Sequence, residues 1–218
     1  LYGLDALLVV SLCIVSTLGW EAAFALYTHK PLKIYDGTSA VNALILSLIL
    51  PATLPWWMII LATLIMTLLG KEIFGGYGSA PFNGVLIAWV ALHMSYPDFL
   101  FDWGIQGMDS AATTAHIEVF KNYGQEKVRE FYTYAQLLFG PTVGSIGQGS
   151  SILLVLGGLY LVWRRVINWR IPLSFLVGVF AFSALLGLLY TEIHSDPLFH
   201  LMAGGSVLAA FFLATDPP

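Results

Sequence analysis

Seven apolar runs, each cut off by charge, glycine or proline, take up most of this 218-residue chain. They fall at about 4–27, 39–51, 56–70, 82–97, 148–165, 172–190 and 198–214, where a straight bilayer span needs roughly 17–25 residues. Hydrophobic residues make up 58% of the chain and charged residues only 10%, against about 25% charged in a soluble domain. One water-soluble core has no room for that much apolar surface. The sequence therefore predicts an all-α polytopic membrane protein, a single integral-membrane domain over 1–218. The second, third and fourth runs are short, which predicts short or broken helices. Pro51-Ala52-Thr53-Leu54-Pro55-Trp56-Trp57 reads as a tight turn with a tryptophan pair at the membrane interface. The chain opens inside an apolar run and stops at Thr215-Asp216-Pro217-Pro218, which reads as the middle of a longer protein.

Orientation follows the placement of Lys and Arg rather than the net charge of −4. Lys30 and Lys33 follow the first run, Lys71 follows the third, and Arg164, Arg165 and Arg170 lie between the fifth and sixth. Seven crossings put these clusters on one side, which the positive-inside rule makes cytoplasmic. The polar loop 98–147 then lies on the other side, although it carries Lys121, Lys127 and Arg129. No basic patch points to nucleic acid. Cys13 is the one cysteine and sits in an apolar run. An iron–sulfur cluster takes about four thiolates, so any such cluster belongs to a partner chain.

Glycine and proline interrupt Phe74-Gly75-Gly76-Tyr77-Gly78-Ser79-Ala80-Pro81-Phe82-Asn83-Gly84. Broken helices leave backbone groups that survive at depth only against protein, ligand or water. The spacing is not that of a phosphate-binding P-loop. Glu21, Asp36, Glu72, Glu192, Asp196, His194, His200 and Asp216 lie in or beside the runs, mostly near helix ends where water solvates them. Glu21 differs, standing well inside the first run as an inter-helix hydrogen-bonding group or part of an ion path. His93 reads as a helix–helix hydrogen bond, and His194, Asp196 and His200 lack recognised ligand spacing. Gly157-Gly158 and Gly204-Gly205 read as close-packing sites.

Several stretches together resemble one family. They are Tyr35-Asp36-Gly37-Thr38-Ser39-Ala40, Pro51 to Trp57, Gly70-Lys71-Glu72-Ile73-Phe74-Gly75-Gly76-Tyr77-Gly78 with Phe82-Asn83, and Val143-Gly144-Ser145-Ile146-Gly147 with Ser150. Trp169-Arg170-Ile171-Pro172, His200-Leu201-Met202-Ala203-Gly204-Gly205 and Ala214-Thr215-Asp216-Pro217 complete the set. In order and spacing they resemble the NqrB/RnfD family, the flavin-carrying membrane subunits of two ion-pumping redox complexes. Asp36 to Leu44 resembles the D-type branch of the Rnf ferredoxin:NAD oxidoreductase. The B-type subunit of the sodium-translocating NADH:quinone reductase is the alternative within the family.

The resemblance implies a flavin site. The family motif is Ser/Thr-Gly-Ala-Thr, with FMN phosphate esterified to the last threonine. Ser110-Ala111-Ala112-Thr113 matches it between the fourth and fifth runs, with Ala111 in place of glycine and Thr114 as the neighbouring acceptor. Read from the residues alone, Thr113 caps a helix over the polar run Ala115 to Tyr123. The resemblance also implies a second, non-covalent flavin such as riboflavin, an FMN-bearing G-type subunit and iron–sulfur subunits as partners, a lipid environment in the bacterial or archaeal cytoplasmic membrane, and activity only within a multisubunit translocase. A transporter or channel, or a scaffold subunit without flavin, are the readings from other classes.

Overall fold

A computed structural model describes residues 3–29, 36–75, 79, 81–101, 144–149, 151–189, 197–202 and 205–215. The described residues are helical, with no strand among them. The chain divides into two compact units, 2–106 with 217–218, and 107–216 with residue 1.

The first unit holds α1 (Gly3–Thr28), α2 (Thr38–Ile49), α3 (Trp56–Thr67), α4 (Gly84–Ser95) and the short α5 (Pro97–Phe101). A π turn, Leu68–Glu72, continues α3 without a break. Local chemistry sets the ends. Asp36 Oδ1 accepts from the Thr38 N–H at 3.1 Å and from its hydroxyl at 2.9 Å, opening α2. Pro51 cannot continue α2, and Pro55 with φ −59° is already set for the start of α3. Asn83 Oδ1 accepts from the N–H groups of Val85 and Leu86 at 2.9 and 3.3 Å, capping α4. At 12 residues each, α2 and α4 are about 18 Å long, well short of a bilayer core. Leu46, Leu50, Met58, Ile59, Val85 and Leu92 fill the centre of this unit.

The second unit holds a 3-10 turn (Ile146–Gly149), α6 (Ser151–Trp163), α7 (Arg170–Leu189), α8 (Pro197–Met202) and α9 (Ser206–Leu208), which runs into a π turn, Ala209–Leu213. The seventh apolar run, expected as one segment over 198–214, is thus divided. Val207, Ala210 and Phe211 form the buried core, flanked by Leu154, Val155, Val162, Ile167, Leu176 and Phe212. The Phe211 ring lies 2.3 Å from where a Cβ on Gly158 would stand, so glycine is the residue that admits it. That bears out Gly158 as a packing site.

The polarity of α7 is inverted relative to a soluble helix. It buries Pro172 and Ser183 and exposes Leu173, Val177, Phe180, Phe182, Leu185 and Leu188. On α1, Leu4, Leu7, Leu8, Val15 and Leu26 face outward, while Thr17 and Glu21 face in. In water this arrangement would lose the hydrophobic contribution that makes a fold. In hydrocarbon it is the arrangement that keeps polar groups together and apolar groups on lipid. Both helices are long and apolar enough to cross a membrane. The fold is that of a helical polytopic membrane protein, as the sequence predicts.

Candidate functional site

Every fourth residue of α1 from Val9 is buried: Val9, Cys13, Thr17, Glu21 and Ala25. These side chains are small apart from Glu21, so α2 and α3 approach the stripe closely. The stripe carries Glu21 into the protein interior, with 3% of its surface exposed. The cation that meets it comes from Lys71 in the π turn. Lys71 Nζ donates to Glu21 Oε1 and also to Ser39 Oγ at 3.0 Å. One ammonium group thus joins α1, the first turn of α2 and the end of α3. The Lys71 side chain is 11% exposed. Sequence reading placed Lys71 among the loop cations that set orientation. The structure places it at the end of α3 as read, and adds that its ammonium is held in an ion pair with Glu21.

Further polar atoms on α1 and α2 are buried. Glu21 Oε2, Thr17 Oγ1 and Asn42 Oδ1 are buried and have no hydrogen-bond partner among the described residues. Thr17 lies one turn from Glu21 on α1, and Asn42 one turn from Ser39 on α2. Leaving a buried polar group unpaired costs about 1–3 kcal/mol, and Thr17 shares with Glu21 the buried stripe of α1. A carboxylate, an amide carbonyl and a hydroxyl are the oxygens that receive a proton or a hard monovalent cation.

Two features hold the centre in place. Trp20 Nε1 donates to the Ile60 carbonyl at 3.3 Å and Thr63 Oγ1 to Ser16 Oγ at 3.0 Å, fixing α1 against α3. The second is a backbone crossing. A Cβ on Gly70 would fall 2.5 Å from the Gly84 Cα, and one on Gly84 would fall 2.7 Å from the Gly70 Cα and 2.9 Å from the Met66 carbonyl oxygen. Only a glycine pair lets the π turn meet the start of α4 there. The Ile73 N–H donates to the Leu68 carbonyl at 3.1 Å, five residues back, which is the π step. Such a step adds a residue to the helical repeat and re-aims the side chains around it, here Lys71. Neither the glycine pair nor the lysine's role was read from the sequence. The available signal was Glu21 within a stripe of small residues.

The other sequence-derived candidates separate. Ser110, Ala111, Ala112, Thr113 and Thr114 lie outside the described residues, as do Glu192, His194, Asp196 and Asp216. Asp36 opens α2 and Glu72 is half-buried in the π turn. His93 stacks on Trp89 within α4, ring centroids 4.9 Å apart. His200 sits edge-on to Phe199 in α8. Among the described residues no three His, Cys, Asp or Glu side chains are grouped to hold a metal ion. Trp57 packs edge-on against Tyr96 and Phe99, and Trp56 is exposed.

Helices with outward apolar faces, a buried Glu21–Lys71 pair in the first unit and helices that run into π turns define a helical polytopic membrane protein. Across its whole length, residues 1–218, the chain matches the NQR2, RnfD, RnfE family, and it belongs to that family. It is 36% identical over 99% of its length to the D subunit of the proton-translocating ferredoxin:NAD(+) oxidoreductase complex of Clostridium ljungdahlii, of which it covers 67%. It is 32% identical over its full length to the D subunit of the ion-translocating oxidoreductase complex of Pseudomonas paraeruginosa, covering 69% of that protein. The corresponding D subunit of Yersinia pseudotuberculosis is 29% identical over 99% of the chain, with 72% of that protein covered.

Proposed function

We propose that this protein is the D-type membrane subunit of an Rnf-type ion-translocating oxidoreductase, and that it relays electrons through FMN esterified to Thr113. The observation that carries the reading is the family match over every residue of the chain, joined to relatives named as the D subunit of an ion-translocating complex. The match of Ser110-Ala111-Ala112-Thr113 to the family's flavin motif supplies the attachment site. A phosphoester to the threonine hydroxyl holds FMN while leaving its ring free to take up one or two electrons, and that redox chemistry is the cofactor's own. Ser110, Ala111 and Ala112 complete the motif, Thr114 is the neighbouring acceptor, and a second flavin such as riboflavin is bound without a covalent link. Partners supply the electrons, among them an FMN-bearing G-type subunit and iron–sulfur subunits. The protein works in the bacterial cytoplasmic membrane and has no turnover alone.

The Glu21–Lys71–Ser39 centre supports a part in ion handling over a purely scaffolding one. A scaffold gains nothing from a buried carboxylate with an unpaired oxygen, since well-packed apolar residues of similar volume do as well or better. The broken seventh run favours a transporter without redox role as the second reading. Thr113→Ala separates the two. The variant removes one hydroxyl, so the complex should assemble with its full set of subunits. Ferredoxin-driven NAD reduction with ion uptake, measured in vesicles, should stop. Full coupled activity without covalent flavin would refute the relay.

A further inference from the structure

The turn from α6 to α7 reads Trp163-Arg164-Arg165-Val166-Ile167-Asn168-Trp169-Arg170, with three arginines, two tryptophans and no acid. Helix α6 closes with a paired stop: the Arg165 N–H donates to the Val162 carbonyl at 2.9 Å and the Val166 N–H to the Leu161 carbonyl at 3.0 Å. In that stop the residue after the cap takes the left-handed conformation, the usual place for glycine. Here it is Arg165, with φ 56°. The chain therefore bears backbone strain at the point where it displays a guanidinium. Asn168 Oδ1 accepts from the Arg170 N–H at 3.2 Å and starts α7.

All three arginines are exposed, and neither Arg164 nor Arg165 has an ion-pair or hydrogen-bond partner for its guanidinium among the described residues. The Arg170 guanidinium lies 5.9 Å from the centre of the Trp169 ring. Trp163 and Trp169 are 76% and 55% exposed. Beyond them, α6 exposes Leu156, Leu159 and Tyr160, and α7 exposes Leu173 and Val177. On α7 the exposed Leu173 and Val177 follow Trp169 and Arg170 directly, and along α6 the order is apolar face, then the Trp163 indole, then the Arg164 and Arg165 guanidinium groups. The order on α6 is that of acyl chain, interface and headgroup in a bilayer leaflet.

We propose that this turn is a binding surface for anionic phospholipid, with the guanidinium groups on the headgroup phosphate and the exposed leucines of α6 and α7 against the acyl chains. Arginine presents a planar fork that pairs two phosphate oxygens at once, which a lysine does not. Charge complementarity favours an anion, and the apolar faces on both sides favour one that carries hydrocarbon.

The test uses the intact complex purified with this subunit and reconstituted in nanodiscs of phosphatidylglycerol and phosphatidylcholine. Phosphatidylglycerol retained through detergent extraction is then counted by native mass spectrometry. Arg165→Gly places glycine where the cap favours it, so the fold is preserved while one charge is removed. Each arginine lost should lower retention about fivefold, so Arg165→Gly shows one step and Arg164→Gln with Arg165→Gln and Arg170→Gln shows a much larger one. Phosphatidylcholine retention should not change. Equal phosphatidylglycerol retention in wild type and both variants would overturn the proposal. So would loss of a partner subunit from the variants with lipid retention unchanged, which would assign the surface to a protein.

Discussion

Lys71 ties three elements together through a single ammonium group, and much of the candidate site depends on it. Breaking a buried pair strands the other charge, whereas replacing both partners by apolar side chains removes the cost of burial as well. Lys71→Met alone should therefore lower the unfolding free energy of the first unit by about 3–5 kcal/mol. Glu21→Leu combined with Lys71→Met should recover most of that loss. Thermal unfolding of the detergent-solubilised protein, run as a double-mutant cycle, would show strong coupling. Additive losses would mean that the pair does not act as one group. In membrane vesicles the doubly apolar variant should keep its stability yet lose ion uptake, which separates the site's structural contribution from its functional one.

Helix ends were legible in the sequence wherever local chemistry sets them. Pro51 and Pro55 bracket the turn before α3, and α1 and α7 lie almost where the apolar runs put them. The π turns were not legible. Leu68-Leu69-Gly70-Lys71-Glu72 and Ala209 to Leu213 carry no periodic signature, because a π step is chosen by what it meets in space. In the first unit it meets Gly84. Gly70→Ala or Gly84→Ala forces a Cβ into the facing backbone and should cost about 1–3 kcal/mol by thermal shift. Gly19→Ala, with open space around its Cβ position, should be neutral or stabilising by up to about 1 kcal/mol. A fall in stability for Gly19→Ala equal to that for Gly70→Ala would mean that helix glycines matter here for reasons other than the crossing. The Glu21–Lys71 pair was half legible: a glutamate inside an apolar run stands out, but a lysine at the end of one looks like any interfacial cation.

At the scale of the chain, the described parts of α1 and α7 turn large apolar side chains outward, while Glu21 and Lys71 are held inward and Arg164 and Arg165 stand in a turn. The positive-inside reading predicts that labels at Lys30→Cys and Lys121→Cys, placed after Cys13→Ser, react from opposite sides of oriented vesicles. Equal reaction from one side would contradict it. The proposed electron relay rests on Thr113. Protein purified with its complex under cofactor-replete conditions should be digested and its peptides analysed by mass spectrometry. The peptide containing Thr113 should carry the mass of FMN, fragment to place it on that hydroxyl, and lose it in Thr113→Ala. An unmodified Thr113 peptide from active, flavin-replete complex would rule out the covalent relay.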